Sequence, residues 1–174
     1  MLKKSIIIIG SFLFLYFQHA TPQRITIEGK EFRANGKKIW LNGANTPWDN
    51  WNDLGGNFNY QWWDNHFKAL HQAGINNTRV WLTCNGDVGI DITTEGYVNG
   101  PTDAFWEDMD SLLSIAKRHE VYIMGALISF DHTASYTDKH ARWRKMYESE
   151  ENMDAFVENY AVPLVKRYNN NPYL

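Results

Sequence analysis

Three times along this chain a short apolar run gives way to a polar loop, and the loop to a longer stretch with helical periodicity. The runs lie at 39–42, 78–86 and 121–130, and a fourth begins at Tyr173-Leu174. Strands that alternate with helices are joined by right-handed crossovers and pair in parallel. The chain is therefore expected to form an α/β fold with a parallel sheet covered by helices. The loops that follow strands are long and rich in Asn, Asp, Gly and Trp, whereas those that follow helices, at 74–77 and 118–120, are short and plain. Binding residues collect at the carboxyl ends of the strands both in α/β barrels and in doubly wound sheets. The turn after the first strand, Gly43-Ala44-Asn45, lacks the glycine spacing of a dinucleotide fingerprint, which favours a barrel.

The individual segments carry clear punctuation. A lid hairpin is expected before Lys37, with turns at Gly29-Lys30 and Asn35-Gly36, and 39–42 then reads as the first core strand. The loop 43–59 is long enough to suggest a functional role. Asn59 can cap a helix over 60–73 that buries Trp63, Phe67 and Leu70, and Gly74 can end it in the left-handed conformation. After a loop at 85–100, Pro101 is placed to open a second helix with a stripe of Phe105, Met109, Leu112, Leu113 and Ala116. The nearly continuous apolar run 121–130 reads as a strand covered on both faces. A third helix is expected over 152–168, kinked or split at Pro163.

Within 78–86, Arg79 and Trp81 occupy alternate positions and so share a face of the strand. A guanidinium in a strand that reads as buried demands a carboxylate or a ligand. Trp48, in the first long loop, and Trp81 are candidate stacking platforms for flat apolar faces such as those of sugar rings. Asn45 is a candidate hydrogen-bonding group beside them. His66 and His71 miss the i, i+4 spacing of a zinc pair and read as solvated. No twelve-residue calcium loop occurs among the loop carboxylates, and neither a metal nor an organic cofactor is expected.

Residues 1–20 read as a signal peptide of bacterial type. Lys3 and Lys4 precede the apolar run 6–17, which is too short to span a membrane, and Ala20 offers a cleavage position. This predicts a secreted or periplasmic domain comprising 21–174, free of the membrane once cleaved. The net charge of −3 and the lack of a basic stripe argue against nucleic acid as a partner. Cys84 is the sole cysteine, so no intrachain disulfide can form. Eight tryptophans exceed what a core of this size needs, which keeps open a non-catalytic carbohydrate-binding role.

The stretches Trp40-Leu41-Asn42-Gly43-Ala44-Asn45-Thr46-Pro47-Trp48, Gly74-Ile75-Asn76-Asn77-Thr78-Arg79-Val80-Trp81 and Tyr168-Asn169-Asn170-Asn171-Pro172-Tyr173 form an ordered set. Together they resemble the N-terminal part of clan A glycoside hydrolases, most closely the family 5 cellulases and β-mannanases. The resemblance implies a (β/α)8 TIM barrel, of which the first three βα units and the start of strand four are present. It implies retaining hydrolysis of a β-1,4-linked polysaccharide, mannan or glucan, by two glutamates about 5 Å apart. Both catalytic glutamates are expected beyond Leu174, so none of the catalytic pair lies in this chain. Arg79 matches the family arginine that supports the nucleophile, Trp48 and Trp81 would line sugar subsites, and His132, just past the third strand, stands where the family often has a substrate-contacting histidine. The full-length enzyme is expected to be a monomer, and the chain alone to be inactive and poorly stable because its sheet edges are open.

Overall fold

The structure is a computed structural model, and it describes residues 24–134 and 140–174. The signal segment lies outside the described residues. The chain enters through three short antiparallel strands, β1 (Thr26–Glu28), β2 (Glu31–Ala34) and β3 (Lys37–Ile39). Asn35 and Gly36 turn β2 into β3 with φ of 53° and 71°. Two consecutive positive φ values are what a type I′ hairpin turn requires, hence the Asn-Gly pair. The hairpin thus extends to a third strand, and 39–42 is not the first core strand. Trp40 marks the exit from this small sheet, with 80% of its surface exposed.

The parallel sheet begins instead at β4 (Gly43–Asn45), which pairs with β5 (Asn77–Trp81), which pairs with β8 (Tyr122–Ala126). Each strand lies beside its predecessor in sequence, with no reversal of order. That is the winding of a barrel rather than of a doubly wound sheet. Tyr173 continues the series, because its carbonyl accepts a hydrogen bond from Ile123 N at 2.7 Å.

Two helices cover one face. Helix α1 (Tyr60–Gln72) starts where the Asn59 side chain accepts from Trp62 N at 3.1 Å, and it buries Trp63, Phe67 and Leu70. Helix α2 (Asp103–His119) buries the expected stripe together with Ile115. Its N-cap is Thr102, whose hydroxyl accepts from Phe105 N at 3.2 Å. Pro101 therefore does not open the helix but ends a strand. That strand is β7 (Val98–Pro101), paired with β6 (Ile90–Ile92) in a hairpin that 85–100 conceals as a sequence. Its two strands bury Ile90, Ile92 and Val98 by alternation, a signal masked by the surrounding Gly and Asp residues.

The run 121–130 also divides. Only Tyr122–Ala126 is strand, and its inner face is open, with Met124 57% exposed. The chain then folds into a 3₁₀ turn, Phe130–Thr133. Two further helices, α3 (Ala141–Glu148) and α4 (Glu150–Phe156), precede α5 (Val162–Tyr168). Between α4 and α5 the segment Val157–Ala161 is π-helical, so the helix passes the missing N–H of Pro163 by widening rather than breaking.

Candidate functional site

The carboxyl ends of β4, β5 and β8 bring one group of side chains together on the open face of the sheet. In register, Asn45 lies beside Arg79 and Arg79 beside Met124, and one step further along Trp81 lies beside Ala126. The ladder continues past β4, since Trp81 N donates to Pro47 O at 3.0 Å. This last bond sets Trp48 next to Trp81, with ring centroids 4.9 Å apart. Trp51 packs edge-on against Trp48 at 4.8 Å, and Phe130 approaches Trp81 at 6.1 Å with its plane nearly perpendicular. Four aromatic rings from three separate strand ends thus share one surface.

Arg79 occupies its centre. Its Nε donates to Asn45 Oδ1 at 2.9 Å, and its guanidinium carbon lies 5.8 Å from the Trp81 ring centroid. The side chain is exposed rather than buried, and among the described residues no carboxylate comes within ion-pair distance of it. The carboxylate or ligand that a buried guanidinium would demand is thus not required here, because the side chain is open to water. The physical reason is alternation: Thr78 and Val80 point into the helix layer, and Arg79 points the other way.

The first long loop is held in an unusual path. Trp51 and Asn52 have φ of 45° and 55°, which disfavour residues bearing a Cβ. Asp53 fixes that path, because its carboxylate accepts from Asp49 N at 2.6 Å and Asn50 N at 3.1 Å. Burial holds the Asp53 carboxyl above the usual carboxylate range, opposed by these two amide donors. Asn52 adds a bond from its Nδ2 to Asn85 Oδ1 at 2.9 Å, which ties this loop to the one after β5. Backbone strain retained at such a site is compensated by its surroundings and tends to mark function.

His132 does not join the open surface. It is fully buried, edge-on to Trp143 at 4.6 Å, with Nε2 3.0 Å from Thr83 Oγ1. A side chain without accessible surface cannot contact a glycan, so the expectation of substrate contact is corrected to a role inside the protein. His66 is likewise not simply solvated, since its Nε2 lies 2.8 Å from Thr46 Oγ1 and burial lowers its proton affinity. Cys84 is buried and its thiol is pushed up to about 11 by desolvation, which makes it a poor nucleophile. Among the described residues no group of three His, Cys, Asp or Glu side chains could hold a metal ion.

Trp51 and Phe130 were missed as site residues. An Asn- and Asp-rich loop carrying several tryptophans is a signal for Trp51, but Phe130 sits in a run that reads as strand. A cavity of about 500 Å3 exists elsewhere, lined by His71, Asn76, Tyr122 and Tyr173 among others. It lies by the short loops at the opposite end of the sheet, away from the aromatic surface.

No family model matches the chain. It is similar to the mannan endo-1,4-beta-mannosidase of Mytilus edulis, with 24% identity over 160 residues covering 90% of this chain and 43% of that protein. It is also similar to the mannan endo-1,4-beta-mannosidase of Cryptopygus antarcticus, with 25% identity over 156 residues, 84% of this chain and 38% of that protein. Among solved structures, the endo-1,4-beta-mannanase of Eisenia fetida superposes with a TM-score of 0.76 at 21% identity, over 87% of this chain and 43% of that one. The β-mannanase of Mytilus edulis gives 0.74 at 24% identity, again over 87% and 43%. The chain thus spans about two-fifths of the proteins it matches.

Proposed function

From a chain that resembles the N-terminal part of the family 5-like glycoside hydrolases in sequence and in fold, we propose that it forms the glycan-holding half of a secreted, retaining endo-β-1,4-mannanase cleft. The observation that carries this reading is the guanidinium of Arg79, held by Asn45 and Trp81 in an open aromatic surface with no carboxylate within ion-pair distance among the described residues. Pyranose rings present flat apolar faces that stack on Trp48, Trp51 and Trp81. Asn45 Oδ1 is engaged by Arg79, which leaves its Nδ2 to donate to a sugar hydroxyl.

In the whole protein one glutamic acid would protonate the glycosidic oxygen and a second would form a glycosyl-enzyme intermediate that water hydrolyses. The remaining N–H groups of Arg79 are placed to hold the second carboxylate, keeping it ionised at neutral pH by charge and hydrogen bonding. Mannan is favoured over glucan because the relatives are mannanases. The residues of this chain bind and orient, and the two carboxylates that break the bond come from elsewhere in the longer protein. Secretion is supported by the segment 1–20.

The test is affinity electrophoresis of residues 21–174 through gels containing galactomannan or a soluble cellulose derivative. Retardation by galactomannan is expected, with none in the Trp48→Ala, Trp81→Ala double variant. Equal mobility with and without mannan would overturn the reading, and retardation by the cellulose derivative alone would reassign the substrate. A second reading, a binder without catalysis, is favoured because among the described residues no carboxylate faces Arg79. Joining the chain to the carboxyl-terminal part of the Mytilus edulis relative separates the two. Mannan hydrolysis that disappears with Arg79→Ala supports the cleft, and a fold-competent but inactive chimera supports the binder.

A further inference from the structure

Beneath the aromatic surface, the loop after β8 is tied down by a chain of hydrogen bonds that centres on His132. The ring Nδ1 lies 3.1 Å from Ser129 N and 3.2 Å from Ser129 O. The carbonyl already accepts from His132 N at 3.3 Å, whereas the Ser129 amide hydrogen is directed at the ring. Nδ1 is therefore the acceptor and Nε2 carries the proton. Nε2–H donates to Thr83 Oγ1, and the Thr83 hydroxyl donates to Leu127 O at 2.8 Å. On the other side of the turn, the Ser129 hydroxyl accepts from Asp131 N at 3.3 Å and donates to Cys84 O. Ring, hydroxyls and backbone thus lock the 3₁₀ turn Phe130–Thr133 onto the strand beside it. At the first position of that turn, Phe130 projects outward, 75% exposed, and meets Trp81 edge-on.

A phenyl ring left this exposed contributes little to the fold, and among the described residues its ring partner is Trp81. We propose that Phe130 is a wall of the glycan-binding surface and that His132 is the positioning residue that presents it there, by capping the turn with a neutral imidazole. The inference rests on the reading of that surface as a glycan site.

The neutral ring matters, because a protonated Nδ1 can no longer accept from Ser129 N. Burial holds the His132 proton affinity down to about 4, opposed first by the Ser129 backbone carbonyl, which favours the protonated ring. His140 before α3 aids burial, and Asp131 on the same turn and Asp87 in the loop after β5 oppose it. Trp143 of α3 covers the ring from the other side, and its indole Nε1 donates to Gly86 O at 3.2 Å. Glycan affinity that depends on this cap is present in neutral solution and is lost as pH falls through about 4.

The experiment compares four forms of residues 21–174 by affinity electrophoresis in galactomannan gels: unaltered, Phe130→Ala, His132→Asn and His132→Leu. Losing one aromatic wall is expected to weaken retention about tenfold, the equivalent of ~1.4 kcal/mol. His132→Leu fills the buried space but cannot accept from Ser129 N, and should weaken retention like Phe130→Ala. Asn places a carbonyl oxygen near the position of Nδ1, so His132→Asn should recover most of the retention and lose its dependence on pH near 4. The double variant Phe130→Ala, His132→Leu should be no weaker than either single one. Failure of the unaltered chain to be retarded would overturn the glycan reading itself. Normal retardation of Phe130→Ala and a folded His132→Leu, judged by circular dichroism, would overturn the inference alone.

Discussion

The two faces of the parallel sheet are built from alternate residues of the same strands, yet obey opposite rules. On the helix side of β5, Thr78 and Val80 are 0% and 1% exposed, packed under the aromatic and aliphatic residues of α1 and α2. On the other side, Asn45, Arg79 and Met124 form a row that stays open. The covered face is closed by volume and shape; Thr78 Oγ1 donates to Thr46 Oγ1 at 3.0 Å there, while the buried Trp63 Nε1 has no hydrogen-bond partner among the described residues. The open face keeps a charge, an amide and four aromatic rings that the fold does not need. On the proposed reading, stability resides on the first face and glycan recognition on the second, separated by the thickness of one strand.

The strongest way to break this division is to cut into the covered face. Trp63 has no accessible surface, lies parallel to Phe58 and meets Trp62 and Phe67 edge-on. Trp63→Ala should destabilise the chain by about 3–5 kcal/mol, transfer and cavity costs combined, read as a lower urea midpoint. An equal loss from Trp48→Ala, on the open face, would show that the division is wrong.

His132 lies on the border and should show an intermediate effect. Its ordinary proton affinity of 6.5 falls to about 4 in the folded chain, so the folded state binds fewer protons than the unfolded one. Its contribution is therefore full above pH 6.5 and is lost progressively as pH drops toward 4. The whole swing is roughly 3 kcal/mol at 1.36 kcal/mol per unit. Urea unfolding between pH 7 and 4 should show this loss in the unaltered chain and a flatter profile in His132→Leu. Parallel profiles would remove His132 from the border.

The covered face was legible in the sequence because it repeats. Trp63, Phe67 and Leu70 recur at helical spacing, as do Phe105, Met109, Leu112, Leu113 and Ala116, and all are buried. Asn59 and Gly74 mark the ends of α1 by local chemistry alone. The open face was legible only where one residue type is unusual for its place, as with Arg79 and Trp81. Phe130 and His132 were misread because what matters for them is a turn, and an apolar run conceals a turn. Ile128-Ser129-Phe130 gives no sign that Ser129 caps one, since the bonds that hold the turn in place, from Ser129 to Cys84 and from His132 to Thr83, reach residues distant in sequence. The hairpin of β6 and β7 was lost for a similar reason, as two three- to four-residue strands among glycines carry too few alternations to register.

The smallest effect on stability should come from Arg79, the residue to which the proposed cleft assigns the support of a catalytic carboxylate. Arg79 is exposed, and its bonds are one hydrogen bond to Asn45 and one face contact with Trp81, both open to water. An exposed cation–π contact contributes about 0.5–1 kcal/mol, so Arg79→Ala should move the urea midpoint hardly at all. Val80→Ala, one residue further along the same strand, removes buried methyl groups and should cost more despite the milder chemistry. In the chimera that restores the rest of the barrel, the order should invert: Arg79→Ala abolishes mannan hydrolysis, and Val80→Ala leaves it measurable. If instead Arg79→Ala unfolds the chain, the guanidinium supports the fold rather than a carboxylate brought by the rest of the barrel, and the open face loses its claim to be a site.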